Sequence, residues 1–283
     1  MSAHSYHSPT PNPAIAVEIN AATRKLHTEL NKLIIDRLPL ALPPDTQSPA
    51  RYATGLSRFA AIFVAFEEEF IALKNRPSEN EDSHKDVVQQ WVATLLPLGM
   101  ERTARLRRDL QHLQQVSSAH IDPTGIQEER AKLRTLVQDK PHILVAYAWI
   151  MYMAIFSGGR WIRQQLSSAS NDFWNTNSDE KSLDTPGFTF LSFDAANDGE
   201  ELKATFKRNL AQADEILSKE EREDIVNTGE DLFQHCIELI EKIDRDVWWT
   251  ESTANWPWAF AVLGLGFVWL LWRMSTGQSI LTV

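Results

Sequence analysis

The first helical stretch of the sequence carries polar residues that could hold a metal-containing ligand. Four of them recur at i, i+4, i+7 and i+11 and so share one row of a helix: Asn20, Arg24, His27 and Asn31. A neutral imidazole is the commonest metal ligand, and a residue one turn away can bond its second nitrogen and fix the tautomer. Asn31 is spaced to do this for His27, and Arg24 adds a cation on the same face. A histidine at the edge of an apolar stripe is more often a packed core residue, so both interpretations stay open.

A pair of glycines interrupts the most apolar predicted helix, Pro141–Leu166. Each glycine in a helix interior costs about 0.8–1 kcal/mol relative to alanine, so Gly158 and Gly159 together cost roughly 2 kcal/mol and permit a kink. Close helix–helix packing would explain the pair, and these residues alone favour that explanation. The alternative is a flat ligand that lies directly on bare main chain.

The elements that must position these residues are predicted to be helices. Apolar residues return at helical spacing from Ala14 to Ile34, and a proline-rich connection follows. The further predicted helices are Ala50–Leu73, Val87–Pro97, Gly99–Val116, Gln127–Gln138, Pro141–Leu166, Glu200–Leu217 and Lys219–Arg245. Ser218 and Glu221 form a capping box at the start of the last one. The run Phe188–Phe193 is predicted to be an irregular aromatic segment, because no second strand is available to pair with it.

Two charged clusters are interpreted as solvent-facing helix sides. The first is the acidic run Glu67–Glu69. The second is the only dense basic cluster outside the chain end, for which a docking patch is the less favoured alternative. Its members are Arg102, Arg105, Arg107 and Arg108.

Composition limits the classes of function. The chain has 283 residues, a formal net charge of -10 and a pI of about 5.3, which argues against a nucleic-acid partner. Cys236 is the single cysteine, so an intrachain disulfide and a cysteine metal cluster are both excluded, and a reducing compartment is expected. The start of the chain has no apolar run of the kind that marks a signal peptide.

The end of the chain predicts a membrane anchor. Trp256–Trp272 carries no charge, and 17 residues of helix span roughly 25 Å, near the thickness of a thin bilayer such as that of the endoplasmic reticulum. Tryptophans cluster at both ends of the run, as in interfacial belts. The expected organisation is a tail at 1–13, a helical domain at 14–246, a linker at 247–255, a single-pass anchor at 256–272 and a short tail at 273–283.

Several stretches in this order resemble the haem oxygenase family. They are AATRKLHTELN at 21–31, FVAFEEEF at 63–70, the helix bearing Ser157-Gly158-Gly159, and the hydrophobic tail of the membrane-anchored members. The resemblance implies an all-α, haem oxygenase-like multi-helix bundle in which haem lies between the first helix and the kinked central helix. It also implies that His27 is the proximal iron ligand and that Ser157, Gly158 and Gly159 form the catalytic distal face.

The resemblance extends to further haem-contacting positions. Arg24, Lys203 and Lys207 match basic positions near the haem propionates, with Lys207 where an arginine is usual. Trp149 and Phe206 each stand where the family has a tyrosine. These five residues are the expected cofactor-binding set.

The central helix departs from the family pattern in a way that bears on catalysis. Where the family reads YLGDLSGG, this chain has Ala154 in place of a glycine and Ile155 in place of the aspartate. The family aspartate holds water that delivers protons during ring opening, which an isoleucine cannot do. We therefore expect haem capture to persist and ring opening to be impaired, with position 155 on the side that the haem touches.

Three functions follow from these expectations. The first is cleavage of haem to biliverdin, carbon monoxide and iron, using dioxygen and electrons from a separate NADPH-dependent reductase. The second is haem binding for storage, sensing or trafficking, without ring opening. The third is a tail-anchored helical scaffold. The expected location is the cytosolic face of a membrane, with the endoplasmic reticulum favoured.

Overall fold

The structure is a computed structural model that describes residues 13–77, 83–117, 119, 121, 124–176, 185–194 and 196–245. One compact unit comprises Met1–Leu239, and a second comprises Ile240–Val283. The described part of the second unit, 240–245, is helical. The predicted anchor Trp256–Trp272 lies outside the described residues.

The described residues form helices and connecting turns, with no strand among them. The helices are α1 Ala14–Ala22, α2 Arg24–Arg37, α3 Ala50–Lys74, α4 His84–Ala93, α5 Thr103–Ser117, α6 Thr124–Asp139, α7 Leu144–Ala154, α8 Arg160–Leu166, α9 Asn171–Trp174, α10 Ala196–Leu210, α11 Ala213–Ile216 and α12 at 219–245. Short 3₁₀ turns lie at Pro39–Ala41, Pro141–Ile143 and Thr189–Leu191. The predicted all-α class is therefore confirmed, and so is the capping box, since Ser218 N–H donates to Glu221 and Glu221 N–H donates to Ser218 Oγ.

The centre of the first unit is built from α3 and the apolar central segment. α3 packs against α5, α6 and α7, and aromatic rings fill the space between these helices. Phe66, for example, lies edge-on to Tyr152 with 5.5 Å between ring centroids. Among the described helices only Pro141–Leu166 is long and apolar enough to cross a membrane, but 72% of its most apolar window is buried inside the protein. It is the core helix of this unit.

The acidic run in α3 is not a solvated edge, which corrects the sequence interpretation. Glu67 and Glu69 are each only 1% exposed. The Glu67 carboxylate accepts the backbone N–H groups of Arg102 and Thr103 at 2.7 and 2.8 Å and the Tyr152 hydroxyl at 2.7 Å. It therefore binds the donors that the first turn of α5 leaves without intrahelical partners, which explains why a charge is tolerated in the core.

The basic cluster is likewise occupied by contacts within the protein. Arg102 is 3% exposed, donates to carbonyl oxygens of Met100, Gly99 and Ser192, and lies 4.3 Å over the Phe193 ring. Arg105 pairs with Asp194, and Arg107 pairs with Glu68. The interpretation of these arginines as one solvent-facing helix side is wrong, because most of them hold neighbouring segments in place.

The aromatic segment Phe188–Phe193 is irregular, as predicted. Its apolar side chains are buried, and its middle forms a 3₁₀ turn at Thr189–Leu191. Asp109 of α5 fixes the segment by accepting Gly187 N–H at 3.1 Å, Phe190 N–H at 2.8 Å and the Thr189 hydroxyl at 2.8 Å. Burial raises the pKa of Asp109, although these hydrogen bonds favour its charged form.

Candidate functional site

The polar row of the first helix is divided by a break at Thr23. The Thr23 hydroxyl donates to the carbonyl of Ile19 at 2.7 Å, and Thr23 has φ -84° and ψ 0°, so that α1 ends and α2 begins there. Ile15, Ala16 and Ile19 of α1 are fully buried, whereas α2 has no buried residue over its 14 positions. The break leaves α2 as a largely exposed helix, of which Leu26 and Leu30 pack against the core.

His27 lies on the exposed helix α2. Its ring is edge-on to Phe233 of α12, with 5.8 Å between the centroids, and the residue is exposed. No hydrogen bond joins His27 to Asn31 in the described part of the chain, which differs from the predicted tautomer-fixing contact. Arg24 is also exposed, one turn before the histidine.

Asn20, the first member of the predicted row, makes a different contact. Its side-chain oxygen accepts the indole N–H of Trp149 at 2.9 Å, which ties α1 to α7. Gly229 allows α12 to approach both of these helices closely. A Cβ added at Gly229 would lie 3.3 Å from Ile19 of α1 and 3.4 Å from Ile150 of α7. Asn20 therefore ties α1 to α7, and its place in one row with His27 stays a prediction.

The glycine pair lies in a π-helical turn, Ile155–Gly159, between α7 and α8. A Cβ at Gly159 would lie 3.3 Å from Leu191 and 3.4 Å from Ile155, so this glycine serves close packing. A Cβ at Gly158 would meet nothing within 4 Å, and Gly158 is exposed. Single π turns inside α-helices are often found at functional sites.

One side of this interrupted helix is open. Its exposed members recur at helical spacing and are Ala154, Ser157, Gly158 and Trp161, the last at 37% exposure. The first three are small, so the main chain itself forms much of the open surface. Ser157 places a hydroxyl beside Gly158.

Ile155 does not belong to this open side. It is 3% exposed and faces Gly159, whose added Cβ would contact its side chain. Residue 155 therefore shares the packed face of Gly159, and the expectation that position 155 lies on the side that the haem touches stays a prediction.

Two predicted cofactor contacts are core residues. Phe206 is fully buried, and Trp149 is 3% exposed. Their rings stack on each other with 6.3 Å between centroids, and Phe206 is also edge-on to Tyr152. The two rings therefore pack against each other, and direct contact of either ring with the cofactor stays a prediction.

The two predicted lysines lie on α10, beside the π turn. Lys203 is 23% exposed in its side chain, and its ammonium nitrogen lies 5.8 Å from the centroid of the Phe156 ring. Lys207 is half-buried one turn further on. Burial and the neighbouring charge of Lys203 lower the pKa of Lys207, against an opposing effect of Glu200.

A cluster that the sequence analysis did not identify joins α8 to the start of α10. Arg163 donates to both carboxylate oxygens of Asp198, at 3.2 and 2.7 Å, and Arg160 lies 3.3 Å from the same carboxylate. Asn197, Asp198 and Gly199 are three successive residues with positive φ. Burial alone would raise the pKa of Asp198, but hydrogen bonds from Arg163 and from Phe193 N–H outweigh it and lower that pKa. The spacing of Arg160 and Arg163 one turn apart was the only signal in the sequence, because their partners lie about 35 residues later.

The predicted metal ligand is the imidazole of His27 alone. Within the described ranges, no group of three or more His, Cys, Asp or Glu side chains could hold a metal ion by itself. An iron bound at His27 would therefore have to arrive inside a larger ligand that supplies its other donors.

Comparison with solved structures identifies the fold. The heme oxygenase 2 of Chlamydomonas reinhardtii, crystallised without heme, gives a TM-score of 0.62 at 20% identity and covers 80% of this chain and 96% of that one. The heme oxygenase-1 of Synechocystis sp. PCC6803, in complex with heme, gives a TM-score of 0.58 at 18% identity and covers 88% of this chain and 99% of that one. The described bundle is a haem oxygenase-like fold.

The sequence comparisons identify the family. The chain belongs to the haem oxygenase family, whose model, described as heme oxygenase, matches residues 13–242. A similar curated protein is the heme-binding protein HMX1 of Saccharomyces cerevisiae (strain ATCC 204508 / S288c), 23% identical over 253 residues that cover 83% of this chain and 77% of the relative.

Proposed function

We propose that this protein captures haem between α2 and the π turn, with the His27 imidazole as the iron ligand. The observation that carries the proposal is the exposed main chain at Gly158, which has open space where a side chain would lie, within a helix that is otherwise core. A flat ligand can lie on such a surface without displacing any side chain. Family membership and a heme-binding relative support haem as that ligand.

The residues around the π turn fit haem in charge and in donor chemistry. Haem presents a flat apolar ring, two carboxylates and an iron that accepts an axial imidazole. His27 offers an exposed imidazole, and Arg24, Lys203 and Lys207 offer cations for the carboxylates. Gly158 and Ser157 offer bare backbone and one hydroxyl on the opposite side of the ring.

The chemistry supported for this site is capture with slow ring opening. When bound, haem would supply the iron at which dioxygen reacts, with electrons from a separate NADPH-dependent reductase. The described open side of the π turn carries no titratable side chain, and position 155 is an apolar residue behind Gly159. The protein's own residues can thus bind and orient haem, but they offer only the Ser157 hydroxyl for handling protons.

A second candidate function is full haem cleavage to biliverdin, carbon monoxide and iron. Family membership favours it, and water held by Ser157 or by free carbonyl groups of the π turn could replace the missing aspartate. Single turnover with a reductase or ascorbate distinguishes the two functions. Rapid stoichiometric biliverdin supports cleavage, whereas persistence of the Soret band supports capture.

The assay for haem capture is a titration of the chain truncated after Asp246, followed by the Soret band. We expect a saturable one-to-one spectrum in the unmodified chain and loss of the axial-ligand signature in His27→Ala. Imidazole should restore that signature by filling the space left by the side chain. His84→Ala, which replaces another exposed histidine, is the matched control and should leave the spectrum unchanged. An unaltered spectrum in His27→Ala would assign the ligand elsewhere, and no Soret band in the unmodified chain would favour the scaffold function.

We further propose that Trp256–Trp272 anchors the protein in a membrane, with the endoplasmic reticulum favoured and the helical domain in the cytosol. The support is the uncharged run with tryptophans at both ends. Full-length protein should resist a carbonate wash of membranes, and the chain truncated after Asp246 should be released. Retention of the truncated chain would contradict the assignment.

A further inference from the structure

Lys203 has an internal partner for its charge. Its ammonium nitrogen lies 3.6 Å from a carboxylate oxygen of Glu200, one turn earlier on α10. The side chains are 23% and 44% exposed, so the pair lies at the surface, where exchange of partners is possible. The same ammonium group lies over Phe156 in the π turn that exposes Gly158.

The Glu200 carboxylate also pairs with a second cation, and this pairing does not depend on Lys203. Arg160 of α8 donates to the other oxygen of the Glu200 carboxylate at 2.6 Å. Arg160 is itself held by the carbonyl oxygen of Asp198 at 3.2 Å. Departure of Lys203 would therefore leave no unpaired carboxylate, and this removes the main penalty for breaking an ion pair.

Because Lys207 lies beside Lys203, a negative charge placed near the two ammonium groups is favourable. Lys207 lies one turn beyond Lys203, and repulsion from Lys203 contributes to its lowered pKa. Glu200 is a counter-charge that opposes this lowering. A ligand carboxylate near the two lysines would take over the same electrostatic role.

From these contacts we propose that Glu200 is an internal competitor for Lys203, which a carboxylate of the incoming ligand must displace. The inference rests on the proposed function, since haem is the dicarboxylic ligand in question. Glu200 thereby weakens capture of haem, and it acts only on ligands whose carboxylates are ionised. A neutral haem diester cannot pair with Lys203 and gains nothing when Glu200 is removed.

The test is haem affinity of Glu200→Gln, measured by Soret titration on the full chain. The amide still accepts a hydrogen bond from Arg160 but no longer holds the ammonium group by charge. We expect binding of haem to tighten about two- to five-fold, the range that partly exposed ion pairs supply, and binding of haem dimethyl ester to stay unchanged. Glu201→Gln is the matched control, because it removes the same charge from the adjacent, exposed position.

A second background shows whether Lys203 mediates the effect. In Lys203→Met, the further change Glu200→Gln should not alter haem affinity. The inference is overturned if Glu200→Gln and Glu201→Gln tighten binding equally, if Glu200→Gln weakens binding, or if its effect persists without Lys203. In each of these cases haem still binds and the proposed function stands, whereas absence of any Soret band in the unmodified chain contradicts both.

Discussion

Gly158 and Gly159 are adjacent in the chain, yet a methyl group added at each would meet opposite surroundings. At Gly159 it would contact Leu191 and Ile155, whereas at Gly158 it would meet open space. The sequence offered packing and ligand contact as alternatives for the pair. Packing is the observed role of Gly159, and an open backbone is what ligand contact requires of Gly158. The residue types could not separate the two, because Leu191 lies on a distant segment.

The chemistry expected at residue 155 depends on the same packed face. An aspartate at position 155 would place a carboxyl group in a site that is 3% exposed, and a buried polar group costs about 1–3 kcal/mol unless it is hydrogen-bonded. We predict that Ile155→Asp lowers stability but raises the ring-opening rate, by up to about 10²-fold, because a positioned proton-transfer group contributes about that much. Single-turnover formation of biliverdin measures the rate, and urea unfolding measures the stability.

Ile155→Asn is the control for Ile155→Asp, because the asparagine amide is polar and as large as the aspartate carboxyl group but does not titrate. It should lose similar stability without the same gain in rate. Equal rates in the two variants would indicate that proton transfer at position 155 does not limit the reaction.

Helices and their order were predictable from periodicity, and the glycine pair marked the interruption of the central helix, whereas the break at Thr23 was not predictable. A 3.6-residue pattern continues through a single break, so the pattern from Ala14 to Ile34 gave no sign that the helix divides at Thr23. Glu67 was misplaced for a related reason. A carboxylate beside an apolar stripe is predicted to be exposed. The backbone N–H groups of Arg102 and Thr103, which bind the Glu67 carboxylate in the core, lie about 35 residues further along the chain.

The start of α5 should depend on Glu67. Glutamine at this position has one oxygen in place of two, so at least one of the three buried or part-buried donors loses its acceptor, at a cost of about 1–3 kcal/mol. We predict that Glu67→Gln lowers the urea midpoint accordingly. Glu68→Gln, which breaks partly exposed pairs with Arg107 and Arg130, should cost less than about 1 kcal/mol. Equal losses would show that the carboxylate does not hold the α5 terminus.

At the scale of the whole molecule, the sequence predicted the fold through a family resemblance and missed the contacts that join distant elements. The break at Thr23, the backbone at Gly229 and the hydrogen bond between Asn20 and Trp149 bring α1, α7 and α12 together. Apart from the local break at Thr23, these contacts join residues about 80 or more positions apart, which local spacing does not reveal. The basic positions of the resemblance lie where the fold leaves them accessible, whereas its aromatic positions are buried.

A buried histidine links three elements and should make the stability of the molecule depend on pH. His142 is 5% exposed, and its Nε2 lies 3.1 Å from Asp224 and its Nδ1 3.7 Å from Glu221. Each carboxylate has a second partner, because Glu221 also contacts His84 and Asp224 also pairs with Lys140. Burial lowers the pKa of His142 below 6.5, against the opposing effect of the two carboxylates. The unfolded chain therefore binds a proton first as pH falls.

We predict that this contribution to the free energy of unfolding is complete above about pH 6.5 and is lost as pH falls through the lowered pKa of His142. His142→Gln should remove that slope, and His84→Gln, at an exposed histidine, should keep it. The carboxylates of Glu221 and Asp224 have pKa values below their usual range, so their own contribution is lost only at more acidic pH. An unchanged slope between pH 7 and 5 in His142→Gln would refute the assignment.

The measurement that bears most directly on haem capture at the π turn is haem affinity of Gly158→Ala beside Gly55→Ala. At both positions an added Cβ meets no protein atom within 4 Å, so neither change should lower stability. If haem lies on the main chain at Gly158, the added methyl must push it away, and overpacking of this kind costs about 1–3 kcal/mol. Soret titration should then give about 5- to 150-fold weaker binding for Gly158→Ala and unchanged binding for Gly55→Ala. Equal affinity of the two variants would contradict the proposal that haem lies on this backbone.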